Sequence, residues 1–334
     1  MNLTLVQALR LNSSPCIAFV GAGGKTTAIF QSARTLSRRA DWRSRAEAKG
    51  EGPSPVIITA TSHLGAWQVK LADQHIMTET PAPLEALEHG LKGVILVTGE
   101  MDGERTKPIN DSLLNWLKQY CSDHSIPLLI EADGSREKPL KAWAEHEPPI
   151  PAFVETVVQV VGLTGLGRIL SDENIHRAEI FSKLSGISIG ASITPDALVR
   201  VLTDIGGGLK NVPVTARRVA LLNQADTLEL QSAAQGLAQA LIPAYHSVIV
   251  SSLKQEKIFA VHEPVAGILL AAGGSTRFGQ AKQLLDWKGQ PFIRAVAKTA
   301  LEAGLASVVV VTGANAEQVE LSVKELNVTV VTNE

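Results

Sequence analysis

Seven residues near the start of the chain, Gly21-Ala22-Gly23-Gly24-Lys25-Thr26-Thr27, combine the groups needed to hold a chain of phosphates. Glycines let backbone N–H groups turn toward an anion, and a helix opening behind them adds positive potential. The Lys25 ammonium can neutralise β- and γ-phosphate charge, and the Thr26 hydroxyl can coordinate Mg2+. The spacing is not that of the standard G-x-x-x-x-G-K-[ST] loop, because Phe19 stands where that pattern has its first glycine. A plain glycine turn with a surface lysine would need neither an apolar strand before it nor a helix opening at Lys25, and the pattern predicts both.

Further candidates fall where later strands end, which is where open α/β sheets hold their ligands. Thr59-Ala60-Thr61-Ser62-His63 ends an apolar run with hydroxyls able to face phosphate or Mg2+, while His63 fits a capping or packing role equally well. Glu131-Ala132-Asp133-Gly134 ends another run with two carboxylates one residue apart, on one side of a strand. Glu131 or Asp133 can hold Mg2+ or orient a water; an acidic pair at a sheet edge is the alternative. Asn223-Gln224-Ala225-Asp226 is similar to the N-K-x-D motif with which GTPases read guanine, with Asp226 able to accept from a base edge. Gln224 replaces the lysine of that motif, and an Asn and Asp shaping a strand-to-helix turn accounts for the string as well. Residues 135–148 are polar and proline-marked yet carry Leu140 and Trp143, as a partly ordered loop over a site would.

A second string, Leu270-Ala271-Ala272-Gly273-Gly274-Ser275-Thr276-Arg277-Phe278-Gly279-Gln280-Ala281-Lys282, carries the same kind of chemistry. Backbone N–H groups around Gly273, Gly274 and Ser275 can approach triphosphate oxygens, and Arg277 and Lys282 can stabilise charge as pyrophosphate leaves.

The elements that must position these residues read as an α/β protein with a parallel sheet. Apolar runs at 16–20, 56–60, 94–98, 128–132, 157–161, 218–223 and 247–251 do not alternate and are separated by helix-length segments, the pattern of strands covered on both faces. After the first run Ile29, Ala33 and Leu36 recur at helical spacing while Arg34, Arg38 and Arg39 lie outward. Residues 40–55 are polar, charged and rich in Gly and Pro, which predicts an exposed connection without a site. A second beginning follows residues 262–264: a strand into the second glycine string, a helix over 291–303 and strands at 308–312 and 328–331. This divides the chain into 1–262 and 263–334, and about 70 residues is short for a domain.

Bulk properties narrow the partners. The apolar runs are far shorter than the roughly 20 residues of a membrane span, and the N-terminus carries no basic region leading into an apolar segment, which predicts a cytoplasmic protein. A net charge of -2 leaves no basic excess for nucleic acid or an anionic membrane surface. Cys16 and Cys121 form neither a disulfide framework nor a metal cluster and read as packing residues.

The first glycine string resembles the shorter G-x-x-G-K-[ST]-T loop of Mur ligases and related ATP-using enzymes. Phe19-Val20-Gly21 through Thr27, Glu131 to Gly134, Pro139-Leu140-Lys141-Ala142 and Glu145-His146-Glu147-Pro148 together resemble the YqeC family, P-loop proteins associated with selenium-dependent molybdenum hydroxylases. Val161 to Leu163, His176-Arg177-Ala178-Glu179, Gly206 to Lys210 and Leu222 to Asp226 extend the resemblance over most of residues 10–255. The second string resembles the opening of MobA-like nucleotidyltransferases, and its trailing Lys282-Gln283-Leu284 their molybdenum-cofactor cytidylyltransferase branch.

These resemblances imply a P-loop sheet domain followed by part of a Rossmann-like, GT-A-like nucleotidyltransferase domain, without the later magnesium-binding aspartate and acceptor region of that family. Lys25, Asp133, Arg277 and Lys282 are the implied catalytic residues. Gly21, Gly23, Gly24, Thr26, Thr27, Asn223, Asp226, Gly273, Gly274 and Ser275 join Lys25, Arg277 and Lys282 as nucleotide ligands, and Thr26, Glu131 and Asp133 hold Mg2+. Two functions are open. One is an enzyme using ATP, CTP or GTP in the maturation of a molybdopterin or selenium cofactor. The other is a non-catalytic, nucleotide-gated factor delivering cofactor or selenium to a molybdenum hydroxylase.

Overall fold

The computed structural model describes residues 3–12, 14–38, 53–87, 90–274, 279–313 and 315–333. Most of the connection expected over 40–55, and Arg39, Ser275 and Arg277, lie outside the described residues. The chain divides into two compact units, Met1–His262 and Glu263–Glu334.

In the first unit nine strands form one sheet: β1 Cys16–Gly21, β2 Val56–Ala60, β3 Gln74–Met77, β4 Val94–Thr98, β5 Leu128–Glu131, β6 Thr156–Gly162, β7 Arg217–Asn223, β8 Ser247–Ser252 and β9 Lys257–His262. Their order is β9-β8-β7-β6-β1-β5-β2-β4-β3, parallel throughout except where β9 runs antiparallel to β8. Every strand from β2 to β5 lies on one side of β1, and every strand from β6 to β9 on the other. The winding therefore reverses at β1, and its C-terminal end opens at the switch point of the sheet.

Alternation along β1 assigns its residues to two layers. Ile17 and Phe19 pack with Ile29, Ala33 and Leu36 of helix α1 (Lys25–Arg38), whereas Ala18 and Val20 pack with Leu113 and Leu117 of α2 (Asp111–Asp123). A third cluster joins Val161, Ala220 and Leu222 to Phe181 of α3 (Ala178–Ser185), Leu198 of α4 (Pro195–Thr203) and Leu237 of α5 (Leu228–Leu241). Cys16 is half-buried and Cys121 buried, both free; burial pushes the Cys16 thiol up to about 12, so both are packing groups rather than nucleophiles.

The second unit alternates strand and helix: β10 Ala266–Ala271, α6 Phe292–Glu302, β11 Ser307–Thr312, α7 Ala316–Val323 and β12 Thr329–Thr332. Its three strands are parallel in the order β10-β11-β12. Ile293 and Ala297 of α6 and Val319 and Val323 of α7 pack with Val310 and Ala271. Ile268 and Leu270 remain exposed. Among the described residues no helix is long and apolar enough to cross a membrane.

Candidate functional site

The loop between β1 and α1 is built by close backbone approach. Gly23 has φ +84°, and a Cβ there would lie 2.3 Å from the Gly162 backbone at the end of β6. Gly24 has φ +123°, and a Cβ there would lie 2.4 Å from the Asn223 amide nitrogen. Only glycine fits either position. The Asn223 amide donates to Gly23 O (2.8 Å), and its Oδ1 accepts from Leu253 N (2.9 Å) and Ser251 Oγ (3.3 Å). Asn223 therefore ties the glycine loop to the ends of β7 and β8 through internal hydrogen bonds of both its amide nitrogen and its oxygen.

Lys25, the first residue of α1 directly after this loop, is 3% exposed. It donates to Gly21 O (2.7 Å) and pairs with Asp133 (3.1 Å), with Glu131 further off at 3.9 Å. Glu131 and Asp133, equivalent by spacing, differ in surroundings, with β5 ending at Glu131 and Asp133 lying beyond it. Asp133 is fully buried: Gly21 N reaches both its oxygens (3.1 and 3.0 Å), Trp143 Nε1 donates to Oδ2 (2.8 Å) and Lys141 pairs with it at 2.9 Å. It is a brace beneath the glycine loop. Glu131 faces Thr26 instead, and the Gln68 amide nitrogen donates to both, at 2.8 Å to Thr26 Oγ1 and 3.1 Å to Glu131 Oε2. Burial pushes the Glu131 carboxyl up, an effect that the Lys25 charge opposes and the Asp133 charge reinforces.

Hard oxygen donors of this kind suit Mg2+, which takes one or two carboxylates together with phosphate oxygens and water. Thr26 Oγ1 and Glu131 Oε2 converge on one donor, so the residues present fit the ion, whereas the oxygens of Asp133 are already filled. Among the described residues no cluster of three or more His, Cys, Asp and Glu side chains is placed to hold a metal by itself.

Thr26, Gln68 and Glu131 form the floor of a cleft of about 720 Å3. One wall is a small antiparallel sheet of Leu64–Gly65, Arg105–Thr106 and Met101–Asp102, continued by the helical turn Ala66–Val69. Glu147, His176 and Arg177 also line the cleft, next to the pairing of Leu140–Lys141 with Ile175–His176. Here Lys141 links Asp133 to Glu147 (3.2 Å), and Arg177 grips Glu147 through both guanidinium nitrogens. Burial pushes the Glu147 carboxyl up, but the hydrogen bonds from Arg177 and the charge of Lys141 outweigh it and hold the group at about 2. His176 is brought down to about 4 by burial and by the cations Arg177, Lys141 and Arg136. Burial also lowers the Lys141 ammonium, against the pull of Asp133.

Of the hydroxyls at the end of β2, Thr59 and Thr61 bond to the carbonyls of Val97 and Pro149. Ser62 and His63 line the cleft, and Ser62 Oγ is buried without a partner. Thr27 is exposed beside Thr26 at the start of α1. Asp226 is exposed, with Oδ1 accepting from Ser252 Oγ (2.5 Å), and Gln224 accepts from Thr164 Oγ1. In the second unit Gly273, Gly274 and Lys282 are exposed, and Gln283 donates to Gly273 O (3.3 Å). Gln68 carried no sequence signal. Lys141, Glu147, His176 and Arg177 stood inside recognisable strings, but their convergence depends on pairing between segments 35 residues apart.

An open, mostly parallel sheet whose first strand ends at the switch point in a glycine loop opening a helix defines an α/β protein of the doubly wound class. Residues 17–179 match the family model described as YqeC protein, and residues 267–334 match that of the MobA-like NTP transferase domain. Uncharacterized protein YqeC of Escherichia coli (strain K12) is 33% identical over 232 residues, covering 67% of this chain and 82% of the relative. The chain belongs to the YqeC family. Its second unit has a nucleotidyltransferase fold, and the two matches together support a nucleotide-related role in cofactor maturation. No solved structure matches the chain.

Proposed function

We propose that the first unit binds a nucleoside triphosphate with Mg2+, its phosphates on the loop Gly21–Thr27, in the maturation of a molybdenum- or selenium-containing cofactor. The observation that carries this reading is the buried Lys25 ammonium at the N-terminus of α1, above a glycine loop at the switch point of the sheet. Lys25 exchanges its contact with Gly21 O for phosphate oxygens while Asp133 keeps the loop in shape through Gly21 N. Thr26 and Glu131 hold the Mg2+, which neutralises phosphate charge when bound. Asp226, held by Ser252, offers its second carboxylate oxygen to base N–H donors, while Asn223 fixes the loop.

In the second unit Gly273, Gly274, Ser275, Arg277 and Lys282 form a second triphosphate site of the cytidylyltransferase kind, its acceptor a molybdopterin. We place the boundary between the two functional domains at residues 262 and 263. The assay is equilibrium binding of ATP, GTP and CTP, each with Mg2+, to the full chain. Lys25→Ala is expected to weaken nucleotide binding to the first unit at least 100-fold with the circular dichroism unchanged. Equal binding by Lys25→Ala, or no nucleotide bound at millimolar concentration, overturns the reading.

A second reading has its own support: the chain of ion pairs from Lys25 through Asp133, Lys141 and Glu147 to Arg177 joins the loop to the lining of the cleft. Such a chain suits a nucleotide-gated assembly factor acting on a molybdenum hydroxylase. Phosphate release separates the two, since turnover is expected of the enzyme and binding without turnover of the switch.

A further inference from the structure

Gln68 is an uncharged side chain buried among charged ones, 5% exposed on the four-residue turn Ala66–Val69. A glutamine amide has one carbonyl and two N–H donors to satisfy. The carbonyl accepts from Gly65 N (2.8 Å), which curls the side chain back over its own turn. The nitrogen donates to the Thr26 hydroxyl and to the Glu131 carboxylate. These are the two oxygens that fit a hard cation, and while they accept from Gln68 their lone pairs on that side are occupied.

The turn that carries Gln68 is anchored on both sides, so the freedom of the site lies in the Gln68 side chain rather than in its backbone. Ala66 N donates to Glu104 O (2.9 Å), and Leu64 and Gly65 pair with Thr106 and Arg105, which joins the turn to the small sheet, while Leu64 and Val69 pack in the cluster that holds Ile29 and Phe30 of α1. Beside Gln68, Trp67 is 52% exposed at the edge of the cleft, and its ring lies so close over Gly65 that a Cβ there would fall 2.7 Å from Nε1. An indole seated on the turn reports any change beside it.

We propose that Gln68 is a latch: its amide occupies the divalent-cation position between Thr26 and Glu131, and the side chain leaves when Mg2+ and nucleotide bind, changing the surroundings of the adjacent Trp67. This rests on the Mg2+–nucleotide reading above and adds a cost that the cation alone must overcome. The free protein thus resists divalent ions until phosphate oxygens complete the coordination shell.

The test uses the full chain in three forms: wild type, Gln68→Ala and Gln68→Glu. Removing the amide frees both oxygens, so Gln68→Ala is expected to reach half-saturation with nucleotide at about tenfold to 150-fold lower Mg2+, the range of one hydrogen bond to a charged acceptor. Its nucleotide affinity without metal stays at the wild-type value, which a general loosening of the fold would not allow. Gln68→Glu puts a carboxylate where the amide was and is expected to bind Mn2+ without nucleotide, seen as loss of the free-ion paramagnetic signal at concentrations that leave wild type empty. Mg2+ with nucleotide shifts the tryptophan emission of wild type, and Trp67→Phe removes that shift. An unchanged or higher Mg2+ requirement in Gln68→Ala overturns the latch, as does emission that ignores Mg2+ and nucleotide. If wild type binds no nucleotide at all, the binding reading falls separately; the latch is then upheld by Mn2+ binding in Gln68→Glu and overturned by its absence.

Discussion

At the residue scale the site turns on which charges are buried and what surrounds them. His176 and Glu147 both favour the form that protons remove, so they give the fold an acid limit. Unfolded, His176 binds a proton as pH drops through its ordinary value of 6.5, whereas in the fold it resists until about 4. Its contribution is complete above 6.5 and is lost as pH falls to about 4, up to about 3 kcal/mol. Glu147, held at about 2 in the fold against an ordinary 4.5, loses its contribution below that window as pH falls from 4.5 toward 2. Urea unfolding at pH 7.5, 5.5 and 4 should show stability falling stepwise, and His176→Gln should flatten the part between 6.5 and 4. A slope unchanged by that substitution would remove His176 from the account. That Lys25, Thr26, Glu131 and Asp133 lie together was legible in the sequence, because they stand at or just after the C-terminal ends of neighbouring strands, β1 and β5. That Asp133 braces while Glu131 faces the cleft was not, because alternation holds only within a strand and β5 ends between them. Gln68 was invisible for a plainer reason: an amide is unremarkable until folding puts it between a hydroxyl and a carboxylate.

At the scale of elements, the segments legible in advance are those whose burial leaves a uniform signature. β2 and β4 are fully buried, and their apolar runs fix their bounds at 56–60 and 94–98. β3 and β9 escaped because they are the two edges of the sheet, where one side meets solvent and residues such as Gln74, His75, Lys257 and His262 break the run. Their order was also illegible, since strand neighbours depend on which helices cross over which face. One side chain spans that order. Asn223, 4% exposed at the end of β7, bonds the loop after β1 and the turn after β8 at once. Asn223→Ala leaves Gly23 O and Leu253 N buried without that partner, and should cost about 2 to 4 kcal/mol in chemical denaturation together with most of the nucleotide affinity. Asp226→Ala, at an exposed position, should stay within about 0.5 kcal/mol of wild-type stability while narrowing the difference between nucleotide bases. Equal losses in the two variants would mean that Asn223 acts locally rather than as a tether.

At the scale of the whole molecule, the two units differ in how fully each covers its own sheet. The first packs its nine-stranded sheet among three apolar clusters. The second packs α6 and α7 on three strands around a cluster of six buried side chains and leaves Ile268 65% and Leu270 83% exposed. Small units bury a smaller fraction of their surface and are correspondingly marginal. The loop, Lys25, Glu131, Asp133, Gln68, Asn223 and Asp226 all belong to the first. A chain ended at His262 should therefore keep its α/β circular dichroism, unfold in one cooperative step and bind Mg2+–nucleotide at the first site within about threefold of the full chain, or about 0.6 kcal/mol. Calorimetric titration with ATP, GTP and CTP would also divide the nucleotide stoichiometry: a site lost on shortening belongs to Gly273, Gly274 and Lys282, and a site retained belongs to Lys25. Loss of all nucleotide binding in the shortened, folded chain would show that residues 263–334 complete the first site, and the division of function between the units would have to be withdrawn.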